Sequence, residues 1–206
     1  APHGEPPPPF PLHGLQRDTI ESAGVVMVDT TRLPREHEGK ILSIVRKVGQ
    51  EGRKWVLPKG RIHPNETARD AAVRELREEG GIVLSEGDVQ NLRYLGYPTR
   101  YSTDRGWKEV HWFIHLWHGD EGTGRAEPQT LAVNWIAPHC LTHDGERGVA
   151  RRAVQQQLET ANIKLAMVYE PTNACDPKIP DIDSIGIAPP EVHRIGFRIV
   201  IRESGS

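Results

Sequence analysis

Cysteine is scarce in this chain, and no stretch of it is apolar for long. The 206 residues include only Cys140 and Cys175, which are far apart and not in a CxxC arrangement. This spacing excludes the usual zinc and redox motifs. It leaves two free thiols in a reducing compartment, or a single disulfide outside one, and we expect free thiols. No apolar run approaches the roughly 20 residues of a membrane-spanning helix, so we expect no membrane partner.

Neither sign of charge dominates the composition. The 26 basic and 28 acidic side chains give a formal net charge of -2, so bulk charge favours no class of partner. Aromatic residues make up only 6% of the chain. Single-stranded nucleic acid is usually bound by aromatic platforms along a basic track, so we expect no nucleic-acid partner, except capped RNA in one alternative below. The oligomeric state is left open.

The pattern of apolar and turn-forming residues predicts one domain with a tail on each side. Residues 1–19 are rich in proline and predict a disordered leader. Residues 20–165 are predicted to form the domain, and residues 166–206 an extension packed on it. We expect strands at about 23–28, 41–45, 55–57, 92–101, 110–117, 131–136 and 192–201. Helices are expected at about 66–79 and 145–161. This order predicts an α+β fold of the α/β/α sandwich type.

The first predicted helix carries an unusual stripe on one face. Asn65 or Thr67 could cap it, and Gly80-Gly81 would end it. The stripe starts with alanines and continues with acids, and its members are Ala68, Ala71, Ala72, Glu75, Glu78 and Glu79. Close carboxylates repel one another, and burying them without a partner costs several kcal/mol, roughly. A divalent cation removes both penalties, and oxygen ligands favour Mg2+ or Mn2+.

The same segment fills a longer pattern, G-x5-E-x7-R-E-U-x-E-E-x-G-U, in which U is a bulky aliphatic residue. The pattern runs from Gly60 to Ile82 and fixes Glu66, Arg74, Leu76 and Gly81 between them, together with the three acids above. This segment resembles the signature of the Nudix hydrolases. The resemblance implies a mixed sheet between helices, a catalytic loop-helix-loop, and metal-dependent hydrolysis of a phosphoanhydride.

The resemblance also implies a role for each matching residue. Glu75, Glu78 and Glu79 would be the catalytic acids and would ligate the metal, with the backbone carbonyl of Gly60. Glu66, Arg74 and Gly81 would hold the loop-helix-loop together. A fourth acid often joins the site from outside the signature, and the candidates are Glu109, Glu121 and Glu127. We expect each of these three to be a surface glutamate. Which acid serves as the general base is left open.

Basic side chains are concentrated just before the acids. The predicted substrate-binding residues are Arg46, Lys47, Lys54, Lys59 and Arg61. The segment Trp55 to Gly60, followed by Glu-Glu-Gly-Gly at 78–81, resembles the branch that hydrolyses diphosphoinositol and diadenosine polyphosphates, particularly fungal members. It departs from that branch at Arg61-Ile62, where many members carry another glycine. We expect a diphosphoinositol polyphosphate diphosphatase with possible diadenosine polyphosphate activity.

Two alternatives stay open on the sequence alone. One is a Nudix pyrophosphatase acting on ADP-ribose or capped RNA. The other is a catalytically silent module that binds a phosphorylated ligand, although such a protein would normally lack one of the acids. We expect a cytoplasmic protein. The proline-rich leader is equally compatible with a secreted effector that acts inside a host cell.

Overall fold

The computed structural model describes residues 19–29, 40–47, 52–160, 165–168 and 200–203. Its strands are β1 Thr19–Asp29, β2 Lys40–Lys47, β3 Arg53–Val56, β4 Lys59–Arg61, β5 Ile82–Val83, β6 Arg93–Tyr94, β7 Thr99–Thr103, β8 Gly106–Trp117, β9 Gly122–Thr123, β10 Ala132–Ile136, β11 Leu165–Val168 and β12 Val200–Glu203. Its helices are α1 Ala68–Gly80, α2 Glu86–Gln90 and α3 Asp144–Thr160, with a 3-10 turn at Pro138–Cys140.

One mixed sheet of eight strands organises the domain. Its central order is β10-β2-β1-β8-β6, while β3 pairs with β2, β4 with β1 and β7 with β8. The long strands β1 and β8 run parallel over the whole of β1, and the other pairs in this sheet are antiparallel. A mixed sheet needs crossover connections, and these place helices on both of its faces.

Strand β1 shows how the two faces are filled. Val25 and Met27 pack into the cluster that includes α1, and Val26 and Val28 pack into the cluster that includes α3. Successive side chains of a strand point to opposite faces, so a fully buried apolar strand indicates a sheet covered on both sides. The α/β/α sandwich predicted from the sequence is confirmed.

Helix α1 begins and ends at residues that the sequence identified. Thr67 is the N-cap, and its hydroxyl accepts a hydrogen bond from the Asp70 amide at 3.0 Å. Gly81 ends the helix with a positive φ of 69°, and its amide donates to the Arg77 carbonyl at 3.1 Å. A side chain at Gly81 would also collide with the Gly124 carbonyl, so glycine is required here both by conformation and by space.

Most of the predicted elements are present, and several short ones were not foreseen. The short strands β4, β5 and β9 and the helix α2 were missed, because two to five residues carry little periodic signal. Of the predicted strand 192–201, only residues 200 and 201 are described, as part of β12, which pairs with β11. The predicted leader, apart from Thr19, lies outside the described residues. Among the described helices, none has the length and apolar character needed to span a membrane.

The expectation of free thiols is wrong. Cys140, which ends the 3-10 turn and is buried, is disulfide-bonded. The chain's other cysteine, Cys175, lies outside the described residues. Spacing along the chain could not decide this point, because a disulfide depends on how the fold brings two distant residues together.

Candidate active site

The site is built where strand β4 leads into helix α1. Strand β4 pairs with β1, with Gly60 opposite Ala23. A Cβ atom at Gly60 would overlap the carboxylate of Glu75. The strand and the helix therefore approach too closely for any side chain at this position, and the backbone of Gly60 lies directly against the first acid of the stripe.

Arg74 joins the loop to the helix. Its guanidinium donates to both carboxylate oxygens of Glu66, at 2.8 and 3.0 Å, and to the Arg61 carbonyl at 2.8 Å. The same group donates to Glu75 at 2.7 Å and to Glu78 at 3.0 Å. A planar guanidinium suits such a fork of acceptors, and charge-assisted bonds of this kind are the stronger ones.

Glu66 is the fully compensated acid of this group. Besides Arg74, its carboxylate accepts a hydrogen bond from the His63 amide at 2.9 Å. The Arg74 hydrogen bond, followed by that of the His63 backbone, outweighs burial and lowers the pKa of Glu66. The Glu66 contact in turn raises the pKa of Arg74. Glu66 is thus held ionised, and its carboxylate oxygens are occupied by hydrogen bonds from Arg74 and the His63 amide.

Glu75 has the opposite electrostatic environment. It is buried, and burial raises the pKa of its carboxyl group. Arg74 opposes that shift, while the negative charges of Glu78 and Glu127 reinforce it. A cation beside Glu75 would relieve both the cost of burying its charge and the repulsion from the neighbouring acids. This environment therefore favours the binding of a divalent metal.

The three predicted metal ligands lie on adjacent turns, but arginine and backbone groups hold their carboxylates. Glu75 and Glu78 are both bonded to Arg74. Glu79 is buried, forms a close ion pair with Arg46, and accepts the Lys59 amide at 3.0 Å. Among the described residues, two other groups of side chains have ligand atoms close enough together to hold a metal ion. The donor chemistry of the acids fits a hard divalent cation, and binding one would require their arginine contacts to be exchanged for metal contacts.

The predicted basic residues are in three different situations. Arg46 is engaged with Glu79, and the ammonium group of Lys59 is 3.1 Å from Glu146, a buried acid of α3. Arg61 is exposed, and its backbone carbonyl anchors Arg74. Lys54 and Lys47 lie further along the β2–β3 hairpin, in register with Arg46 and Arg53 respectively. Of the five, the fold therefore places Arg46, Lys59 and Arg61 beside the acids.

Residues that the sequence did not single out complete the surroundings of the site. Lys108 on β8 has its pKa lowered by burial and then by the positive charge of Lys59, with smaller influences from Glu146, Glu75 and Arg46. Its ammonium lies 5.8 Å from the ring centre of Tyr101, its partner on β7. Glu146 also accepts the Leu57 amide at 2.5 Å. The sequence predicted the hairpin loop at Gly106, but it did not predict the register of the two strands, which pairs Tyr101 with Lys108.

The three candidates for a fourth acid are separated by the structure. Glu109 and Glu121 are buried, so the expectation that they are surface residues is wrong. Glu109 is bonded to Arg100, and Glu121 to His115 and two backbone amides. Only Glu127 influences Glu75 electrostatically, and its amide donates to the Glu78 carbonyl at 2.7 Å. Glu127 is therefore the candidate that lies next to the signature acids.

Comparison with known proteins identifies the family that this domain matches. The model of the NUDIX domain matches residues 21–157. The RNA pyrophosphohydrolase of Erythrobacter litoralis is 28% identical over 134 residues, which are 57% of this chain and 76% of that protein. The CTP pyrophosphohydrolase of Escherichia coli is 26% identical over 153 residues, which are 73% of this chain and 97% of that protein.

Solved structures share the fold. The NUDIX domain of Shewanella oneidensis NrtR, solved as a complex with ADP ribose, superposes with a TM-score of 0.53. The match covers 68% of this chain and 89% of that domain, at 15% sequence identity. At this identity the likeness extends to the arrangement of helices and strands and not to the ligand.

Proposed function

Because this chain belongs to the Nudix family, whose enzymes hydrolyse phosphoanhydrides, we propose that it cleaves such a bond in a polyphosphorylated small molecule. Diphosphoinositol polyphosphates are the first choice of substrate, and diadenosine polyphosphates the second. The observation that carries the proposal is a group of three cations next to the signature helix. The charges of Lys59 and Arg46 act on Lys108, Arg46 is paired with Glu79, and Lys59 is paired with Glu146.

The cations are close enough to repel one another. The charges of Lys59 and Arg46 both act on Lys108, which is also partly desolvated. Like charges gathered in a partly buried place are costly unless an anion lies among them. The acids Glu79 and Glu146 compensate Arg46 and Lys59 in the substrate-free protein. A ligand with several phosphates supplies more negative charge than a single diphosphate, so it suits this group of cations better.

In the proposed reaction Glu75, Glu78 and Glu79 and the carbonyl of Gly60 would hold Mg2+, or Mn2+ in its place. Such a metal polarises the phosphoryl oxygens, neutralises the leaving oxygen and lowers the pKa of a bound water. The chain's own residues position the reactants. Arg74 and Glu66 fix the helix against the loop, and the burial of Glu75 limits the access of bulk water to the acids. Arg46 is paired with Glu79, and it would become available to a substrate phosphate if Glu79 bound a metal instead.

A substrate panel with Mg2+ tests the proposal. We expect cleavage of diphosphoinositol pentakisphosphate, followed by chromatography of the products, to be faster than cleavage of diadenosine polyphosphates, ADP-ribose, capped RNA and CTP. If none of these substrates is hydrolysed, the catalytically silent binding module is favoured. Efficient cleavage of ADP-ribose or capped RNA, with little of the inositol substrate, would replace the proposed substrate with one of those alternatives.

Arg61 gives a sharper test of the substrate class, because it is exposed beside Gly60. Arg61→Ala should lower kcat/KM on diphosphoinositol pentakisphosphate by roughly tenfold or more, since a charge-assisted contact is worth about 1.5–3 kcal/mol. The loss on ADP-ribose, with two phosphates, should be much smaller. Arg105→Ala is the matched control, because Arg105 is exposed in the turn between β7 and β8. Equal losses on both substrates would remove the support for a polyphosphate.

A nucleoside polyphosphate is the second candidate, and exposed aromatic residues favour it. Tyr101 and Trp107 are 40% and 44% exposed. The ammonium of Lys108 lies 5.8 Å from the Tyr101 ring centre and interacts electrostatically with Glu75. An exposed ring near the phosphates could stack with a base. Tyr101→Ala should then weaken binding of CTP or a diadenosine polyphosphate at least tenfold and leave the inositol substrate unaffected. An equal effect on both classes would assign Tyr101 to the shape of the pocket.

A further inference from the structure

A second cluster of metal-binding side chains lies at the other end of strand β8. His115 is in that strand, His118 follows it, and Asp88 is in helix α2. One ligand atom from each of these three residues lies within 4.8 Å of the other two. None of them belongs to the signature, and the cluster shares no residue with the acids of α1.

Glu121 fixes the ring of His115. Its carboxylate oxygen is 2.9 Å from Nε2 of His115, and the Glu121 side chain is fully buried. The backbone amides of His118 and Gly119 donate to the same carboxylate at 2.6 and 2.8 Å. Burial alone would raise the pKa of Glu121, but these hydrogen bonds hold it below its usual range.

The Glu121 contact determines which nitrogen of His115 is available. Both oxygens of Glu121 already accept backbone amides, so the carboxylate acts as an acceptor and Nε2 of His115 donates to it. In the neutral ring, Nδ1 then has a free lone pair. A histidine whose other nitrogen donates to a carboxylate is the usual arrangement of a metal-ligating histidine, because the carboxylate orients the ring and makes the ligating nitrogen more basic.

The other two residues of the cluster approach this ring from the surface. Nε2 of His118 is 3.9 Å from an Asp88 carboxylate oxygen. The rings of His115 and His118 meet edge to face with centres 5.4 Å apart. Glu121 alone is sufficient to hold the turn, because it already bonds the His118 and Gly119 amides. The hydrogen bonds of Glu121 therefore explain the shape of the turn. They do not explain why the imidazole of His118 lies beside both His115 and Asp88.

We propose that Asp88, His115 and His118 form a binding site for a divalent transition metal of the Zn2+ class, with Glu121 as the residue that orients His115. Two imidazole nitrogens and one carboxylate oxygen are ligands that favour Zn2+ over Mg2+. Three protein ligands leave a position for water. The site joins helix α2 to the end of β8, so bound metal stabilises the connection between them.

Binding of Zn2+ to a variant that lacks two of the signature acids tests this site. In the full chain carrying Glu78→Gln and Glu79→Gln, Zn2+ at about 100 times its Kd should raise Tm by roughly 5 °C or more. Isothermal titration should give one site per chain. Replacement by Co2+ should give the visible absorption bands of a low-coordinate nitrogen and oxygen site, which do not depend on activity.

Variants at the surface of the cluster separate the site from adventitious binding. Adding His118→Ala should weaken Zn2+ binding at least tenfold and reduce the Tm shift to about half or less at the same Zn2+ concentration. Its backbone amide, which bonds Glu121, is retained. His63→Ala is the matched control, because the two imidazoles are 53% and 59% exposed, and it should leave Zn2+ binding unchanged. Asp88→Asn should weaken binding without removing the fold. Equal Zn2+ affinity with and without His118, or no binding in the parent variant, would overturn the proposal.

Discussion

Glu66 and Glu75 are nine residues apart in one signature and contact the same arginine, yet their pKa values shift in opposite directions. Arg74 and the His63 amide satisfy Glu66, and its pKa is lowered. Glu75 shares Arg74 with Glu78, is buried, and its pKa is raised. The difference lies in the surroundings, because Glu66 is bonded on both oxygens whereas Glu75 is desolvated among other acids.

This comparison separates two roles within one acidic motif. An acid whose charge is already compensated gains little from a metal and contributes stability to the fold. A buried acid with like charges beside it costs stability until a cation arrives. We therefore infer that Glu66 is a structural residue, and that Glu75 is the member of the proposed metal-binding group Glu75, Glu78 and Glu79 that gains most from a cation. The predictions below test that division.

The largest effect is expected on turnover. Glu78→Gln or Glu79→Gln should lower kcat roughly 100-fold or more, because metal stabilisation of the reacting phosphoryl group is worth several kcal/mol. The fold should remain intact, since glutamine keeps most of the shape and can still accept the Lys59 amide. Glu86→Gln, on the exposed start of α2, is the control. Turnover near that of the parent at saturating Mg2+ would rule out this metal site.

Arg74→Ala should cause the largest loss of stability. It removes the bonds to Glu66, Glu75, Glu78 and the Arg61 carbonyl, and leaves acids without a partner. A fully buried pair broken in this way costs about 3–5 kcal/mol, and we expect about 2–4 because the Arg74 side chain is 17% exposed. Arg77→Ala, at 59% exposure, should change stability by less than about 0.5 kcal/mol. Similar denaturation midpoints for both variants would contradict the role of Arg74.

Gly60→Ala should harm activity more than stability. The new Cβ overlaps the Glu75 carboxylate, which must move away from its position against the loop. We expect kcat/KM to fall roughly tenfold, with a loss of stability of about 1 kcal/mol or less. Gly148→Ala is the control, because a Cβ there meets nothing within 4 Å and alanine favours a helix. An unchanged kcat/KM in Gly60→Ala would show that Glu75 need not lie there.

The smallest and most specific effect concerns pH and the metal-free protein. Glu66, with its lowered pKa, contributes stability above its usual value of 4.5, and that stability is lost as pH falls through its lowered pKa. Glu66→Gln should therefore lower Tm at pH 7, by an amount equivalent to about 1–2 kcal/mol, and the difference should shrink in acid.

Glu75 has the opposite sign. Its raised pKa means that the folded protein binds this proton more tightly than the unfolded chain, so its ionised form destabilises the fold. Glu75→Gln should raise Tm at pH 7 without metal, and the gain should vanish as pH falls towards 4.5. Thermal denaturation in chelator across this range measures both variants. Shifts of the same sign would show that the two acids are equivalent.

The sequence predicted the sandwich and the loop-helix-loop because both rest on strong local patterns. Thr67, Gly81 and the alanines of α1 specify the helix by capping and spacing alone. The pairing of Arg46 with Glu79 and of Lys59 with Glu146 could not be predicted, because each pair joins elements through the packing of distant segments. The same reason explains why the burial of Glu109 and Glu121 and the disulfide at Cys140 were missed.

Binding of Mn2+ to the parent protein and to single variants tests the division of the acids most directly. Calorimetric titration without substrate should show Glu75→Gln, Glu78→Gln and Glu79→Gln each weakening Mn2+ binding at least tenfold. Glu66→Gln should retain an affinity within about threefold of the parent, measured where both proteins are folded. An equal loss for Glu66→Gln and Glu75→Gln would contradict the assignment of Glu66 to structure and of Glu75 to the metal.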